Sequence, residues 1–251
     1  MRWDIAILSE PGERENNEDC VAVTSGDAGI CTVLCDGLGG HDAGEVASKC
    51  VCDSVSAAFE KAPEGADIGE LVCELIQNAQ DELMKMQIEL DKQNGMKTTA
   101  CCLLIQDGKT AAAYVGDSRI YQFRKNKVLL RSSDHSIPQY LVNIGEIKER
   151  DIRHHPDRNK LLRVMGSEWE TPRYQRLKLE EPVCGDAFLL CTDGFWEWIE
   201  EKNMERFLKR ASCSEEWLNT MKKFIYARGR GNRMDNLSAI AIMRVEGDDG
   251  G

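Results

Sequence analysis

Two hydrophobic rhythms divide the chain. Alternation marks half-buried strands, and a 3.6-residue repeat marks helices that bury one face. Residues 3–8 alternate loosely and predict a first strand. Residues 9–19, SEPGERENNED, are polar and rich in turn formers. A short strand at 21–24, a turn at 26–29 and an apolar run at 32–35 follow. Over 43–61, Val46, Ala47, Cys50, Val51, Val55, Ala58 and Phe59 fall at helical spacing, until Pro63-Glu64-Gly65 ends the pattern. Over 68–90, Leu71, Val72, Leu75, Ile76, Ala79, Leu83 and Met86 repeat it. Two long helices between groups of strands predict an antiparallel helix pair laid on a sheet.

Residues 98–106, 110–115, 120–123 and 128–130 are apolar runs divided by Asp107-Gly108, Gly116-Asp117-Ser118-Arg119 and Lys125-Asn126. This is a β-meander, which favours antiparallel sheets over βαβ units. Residues 136–166 change character, with no long apolar run and six Lys or Arg against four Asp or Glu. They predict short helices at 137–144 and 146–153, then an irregular loop, and read as a solvated subdomain or as a mobile flap. Beyond them the pattern gives an edge strand at 173–179, a central strand at 187–191, and helices at 203–211 and 215–228. A basic loop at 229–233, a last strand at 237–245 and a disordered tail at 246–251 close the chain. No linker or repeat divides it, so one domain over 1–245 is expected.

Charge narrows the partners. A net charge of −11 argues against nucleic acid, although metal ions can reverse the sign locally and let an acidic protein bind phosphate. No apolar stretch reaches the eighteen or so residues of a membrane span, and the N-terminus lacks the apolar block of a signal peptide. None of the eleven cysteines forms a C-x-x-C pair, and most lie in apolar runs. They read as core thiols in a reducing cytoplasm.

Three apolar runs end on a carboxylate: CTVLCDG at Asp36, AAAYVGD at Asp117 and AFLLCTDG at Asp193. Asp19 and Asp235 fall beside other strands. Each Asp-Gly alone is a common turn pair, but a carboxylate at the end of a buried strand is costly unless something compensates it. Taken together, Asp19, Asp36, the Gly37 carbonyl, Asp117, Asp193 and Asp235 are an all-oxygen set suited to hard cations, namely Mg²⁺, Mn²⁺ or Ca²⁺. EF-hand spacing is lacking, and carboxylates scattered along the chain fit a two-metal hydrolytic site. Arg14 could bind an anion beside the metals, or be an ordinary exposed arginine.

The segments R-E-N-N-E-D (14–19), D-G-L-G-G-H (36–41), G-D-S-R (116–119), S-D-H-S (133–136), H-H-P-D-R-N (154–159), T-D-G-F-W (192–196) and D-N-L-S (235–238) resemble the metal-dependent protein phosphatases of type 2C. Their order matches that family across nearly the whole chain, and two of the forms are similar to its bacterial branch. The resemblance implies an α+β fold, a four-layer α-β-β-α sandwich of two antiparallel sheets flanked by antiparallel helix pairs. It implies hydrolysis of phosphoserine and phosphothreonine in proteins by a metal-bridging water or hydroxide, opposing bacterial Ser/Thr kinases in the cytoplasm as a monomer. Asp36 would bridge two Mn²⁺ or Mg²⁺ ions, with the Gly37 carbonyl, Asp193 and Asp235 completing the set and Glu18 and Asp19 acting close by. Asp117 would hold a third, weaker ion, Arg14 the substrate phosphate, and 136–166 would be the variable flap. Leu38 stands where the animal enzymes carry a histidine proposed as general acid, which leaves His41 or metal-bound water as proton donor. A silent phosphoprotein-binding regulator and another phosphoesterase, such as a nuclease, are the competing readings.

Overall fold

All of the strand pairing is antiparallel, and it forms two sheets. The computed structural model describes residues 2–39, 43–92, 95–106 and 108–246. In chain order come β1 (Arg2–Glu10), β2 (Asp19–Gly26), β3 (Gly29–Leu38), α1 (Ala43–Phe59), α2 (Ile68–Glu89), β4 (Lys97–Thr98), β5 (Ala100–Gln106), β6 (Lys109–Val115), β7 (Arg119–Arg124) and β8 (Lys127–Arg131). Then follow α3 (Ile137–Asn143), a 3₁₀ turn (Glu149–His154), β9 (Gln175–Leu177), β10 (Ala187–Cys191), α4 (Asp193–Trp196), α5 (Glu201–Leu208), α6 (Ser214–Gly229) and β11 (Leu237–Val245). One sheet runs β1-β11-β10-β7-β8. The other runs β2-β3-β5-β6-β9, with β4 on β3.

Strand alternation sorts the apolar residues into three layers of core. Cys31, Val33 and Cys35 of β3, with Ala100, Cys102 and Leu104 of β5, face α1 and α2. Leu34 of β3 and Cys101, Leu103 and Ile105 of β5 face the other way, against Phe188 and Leu190 of β10 and Ile240 and Ile242 of β11. Leu189, Ala239 and Ala241 look outward to Trp217, Met221 and Ile225 of α6. The order is helices, sheet, sheet, helices, as the resemblance implies. Seven cysteines (31, 35, 50, 52, 101, 102 and 191) are buried, and Cys184 is exposed.

Several sequence boundaries move, and the shifts bear on the site. The first strand reaches Glu10, and β2 starts at Asp19 rather than Val21. β3 runs through Asp36 and Gly37 to Leu38, so Asp36-Gly37 is strand and not a turn. The strand expected at 98–106 is broken at Thr99. The second flap helix is only a 3₁₀ turn, and the 173–179 strand shrinks to three residues at the sheet edge. Asp193 opens a helical turn. His41 and the tail at 247–251 lie outside the described residues, as does Asp107 of the 107–108 hairpin turn.

Candidate active site

Register brings the first two carboxylates together. Asp19 pairs directly with Asp36 across β2 and β3. They share the strand parity of Val21 and Leu34, which face the space between the sheets. The connection from β6 crosses from one sheet to the other at Gly116-Asp117-Ser118, where Gly116 takes a φ of +104° that favours glycine. Asp193 follows β10, and Asp235 precedes its neighbour β11. All five carboxylates therefore meet at one end of the inter-sheet core. A cleft of about 650 Å³ opens there, lined among others by Arg14, Glu18, Asp36, Gly37, Asp117, Asp193 and Asp235. Asp19 is not among the lining residues; it accepts a hydrogen bond from the Thr192 hydroxyl (3.1 Å).

Close backbone approaches hold the carboxylates. A Cβ on Gly37 would stand 2.4 Å from the Gly44 carbonyl oxygen, so α1 can pack on β3 here only because that side chain is absent. A Cβ on Gly194 would stand 2.0 Å from the Asn236 carbonyl oxygen, and the missing side chain lets the Asp193 turn lie against the Asp235 segment. Thr192 and Ser238 zip β10 to β11 through the Thr192 N–H to the Ser238 carbonyl (3.0 Å) and the Ser238 N–H to the Thr192 hydroxyl (3.1 Å).

Negative charge accumulates in the cleft. Burial, then the charges of Asp193 and Asp235, outweigh two hydroxyl hydrogen bonds and push the Asp19 carboxyl up to about 8. Burial followed by the charges of Asp235 and Glu197 raises Asp193 to about 6. Asp36 and Asp117 are also held well above the ordinary carboxylate range, first by burial and then by neighbouring aspartates. The cationic partner is Arg14, whose guanidinium donates to Asp235 at 2.8 Å. That pair is largely exposed, at 57% and 40%, and holds the arginine by no more than about 1 kcal/mol.

An all-oxygen, strongly negative cleft suits a hard divalent cation. Among the described residues, no three His, Cys, Asp or Glu side chains stand close enough to enclose an ion by themselves. The chemistry of the donors, carboxylate oxygens and the Gly37 carbonyl, fits such an ion.

Residues outside the candidate ligand set also shape the cleft. Asn236 accepts from the Glu18 N–H (2.8 Å) and donates to the carbonyls of Pro11 (3.1 Å) and Asn16 (2.8 Å), shaping the loop that carries Arg14. Glu13 ties the same loop to the Gly231 and Met234 N–H groups (2.7 and 3.2 Å). His135 clamps Gly116: its ring Nδ1 accepts the Gly116 N–H (3.1 Å), and its backbone N–H donates to the Gly116 carbonyl (2.9 Å). Trp196 donates its indole N–H to the Asp117 carbonyl (3.0 Å). Arg119 lies 3.6 Å over that indole and makes a bidentate pair with Asp134 (2.9 and 2.7 Å). The motifs G-D-S-R, S-D-H-S, T-D-G-F-W and D-N-L-S contain all of these residues except Glu13, but spacing alone does not say what each one touches. Of 136–166, Asn159 and Leu161 reach the cleft wall. Leu38 also lines the cleft, and it offers no proton.

The sequence model of the protein phosphatase 2C family matches residues 12–228. The chain is 29% identical over 240 residues to the serine/threonine phosphatase stp of Listeria innocua, covering 92% of this chain and 91% of that one. It is 28% identical over 238 residues to the serine/threonine protein phosphatase PstP of Mycobacterium tuberculosis, covering 94% of this chain. It spans only 44% of that relative's length. The catalytic domain of a phosphatase PstP, solved in complex with two manganese ions, superposes with a TM-score of 0.81 at 25% identity, covering 97% of this chain and 99% of that one.

Proposed function

This chain belongs to the protein phosphatase 2C family, and on that premise we propose that it hydrolyses phosphoserine and phosphothreonine esters in proteins with two divalent cations, Mn²⁺ or Mg²⁺. The observation that carries the reading is the gathering of Asp36, Asp117, Asp193 and Asp235 in one cleft with Arg14 at its wall. Asp36 would hold both ions, and the Gly37 carbonyl, Asp193 and Asp235 would share them. Glu18 and Asp19 would act nearby through water, and Asp117 would take a third, weaker ion. When bound, the ions would supply a water nucleophile of lowered pKa and screen the phosphate charge.

The protein's own groups do the rest. Arg14 leaves a weak, exposed pair with Asp235 and turns its planar fork to two phosphate oxygens. Asp19, outside the cleft wall, accepts a hydrogen bond from the Thr192 hydroxyl. Leu38 is aliphatic, so the proton for the departing seryl or threonyl oxygen comes from water or from His41. Residues 1–245 would form one phosphatase domain, with 136–166 as a flap beside the cleft. The substrates would be the products of a Ser/Thr protein kinase, met in the cytoplasm by a monomer. No described helix is long and apolar enough to cross a membrane.

The test is phosphate release from a phosphothreonine peptide, with Mn²⁺ and after chelation, by wild type and Asp193→Ala. Release that needs Mn²⁺ and disappears in the variant is expected. A folded wild type that binds the peptide without releasing phosphate under any metal would replace the enzyme by a phosphoprotein-binding regulator.

A further inference from the structure

Asp36 and Asp117 lie on different strands' ends, yet one buried side chain touches both segments. Between β4 and β5 the pairing with β3 lapses at Thr99. There the Thr99 N–H and the Thr98 hydroxyl both donate to the Asp36 carbonyl (2.8 Å each), and the Asp36 N–H donates to the Thr99 hydroxyl (2.9 Å). The same Thr99 hydroxyl shares a hydrogen bond with Ser118 (2.8 Å), the residue after Asp117. Its methyl group occupies the place where a Cβ on Gly116 would stand, 2.5 Å away. Thr98 and Thr99 are fully buried, and Ser118 is 1% exposed. A hydroxyl in this position serves two partners that have no water to turn to.

We propose that Thr99 is a positioning residue that fixes the Asp36 segment against the Asp117 segment and thereby couples cation binding at the two carboxylates. The inference rests on the reading of the cleft as a divalent-cation site. It asks more than a fold-stabilising role, because valine matches the shape of threonine and removes only the hydroxyl, whereas serine keeps the hydroxyl and removes only the methyl.

The experiment is calorimetric titration of Mn²⁺ into the metal-free protein, with far-UV circular dichroism to confirm folding. Thr99→Val is expected to weaken Mn²⁺ binding by about 10- to 100-fold, the usual effect of removing a group that orients a metal ligand. Thr99→Ser should restore binding to near the wild-type affinity. Thr32→Val is the control: its buried hydroxyl, on the same strand as Asp36, donates to the Leu103 carbonyl (3.2 Å) and reaches neither carboxylate. It should lose stability and keep its Mn²⁺ affinity. Should Thr99→Val not fold, Ser118→Ala removes the other end of the link and should weaken Mn²⁺ binding while folding normally.

Unchanged Mn²⁺ affinity in a folded Thr99→Val or Ser118→Ala overturns the proposal. So does an equal loss of affinity in Thr32→Val. A wild type that takes up no Mn²⁺ overturns the cation-site reading itself, an outcome separate from any difference among the variants.

Discussion

Asp134→Ala should be among the most damaging single changes outside the cleft. Arg119 and Asp134 each have 1% of their side chain exposed, and two short hydrogen bonds join them. Burial disfavours the guanidinium charge, but Asp134 and Tyr121, by charge and hydrogen bond together, outweigh it, and Arg119 stays protonated. Without Asp134 it would be a buried cation, for which the usual cost is about 3–5 kcal/mol. Glu201, 3.7 Å from Arg119, offers partial compensation and places the expectation near the lower end, ~3 kcal/mol. At roughly 2–4 °C per kcal/mol for a chain of this size, Tm should fall by about 6–12 °C. Asp53→Ala is the comparison. It deletes an exposed pair with Lys49 (67% and 65%) and should change stability by less than about 0.5 kcal/mol. Urea unfolding of both variants measures the difference. The change also reaches the cleft, because Arg119 supports the Trp196 indole that holds the Asp117 carbonyl, so phosphate release should fall at temperatures where the variant is still folded. An Asp134→Ala protein within ~1 kcal/mol of wild type would refute the claim that this buried pair is a structural keystone.

Further expectations concern protons and the Arg14 loop. In chelator, Asp19 and Asp193 bind protons more tightly folded than unfolded, so the stability they contribute is full below pH 4 and is lost as pH rises through about 6 and about 8. Because the open cleft screens part of the effect, the loss between pH 5 and pH 8 should be on the order of 1–3 kcal/mol, recovered by Mn²⁺ and reduced in Asp193→Asn. Urea midpoints that stay flat with pH in chelator would contradict this. Asn236→Ala removes three hydrogen bonds that shape the Arg14 loop and should cost about 1–3 kcal/mol and raise KM for a phosphopeptide more than it lowers kcat; an unchanged KM would count against that role. Burial lowers the His135 pKa to about 4, so nuclear magnetic resonance should find its ring neutral at pH 6, with Nε2–H facing Gln175; a midpoint near 6.5 would contradict the buried clamp on Gly116.

The chain's own residues determined which segments become strands or helices, because burial of one face leaves a period in local sequence. Alternation at Cys31, Val33 and Cys35, and the helical spacing of Val51, Val55 and Phe59, specify elements before any partner is known. The apolar runs ending at Asp36, Asp117 and Asp193 likewise marked the candidate ligands, since a carboxylate at such a position needs compensation. Partners are another matter. Thr98 and Thr99 both favour strand by type, and the break at Thr99, where both residues donate to the Asp36 carbonyl, is visible only in the fold. The opposition of Asp19 to Asp36 is a register, and register depends on which strands meet and not on either strand's composition. Arg119, Asp134 and Asn236 look like surface residues by type, and tertiary structure buries them because each finds partners that repay its desolvation. Periodicity records that a residue is buried; the long-range packing of two sheets decides against what.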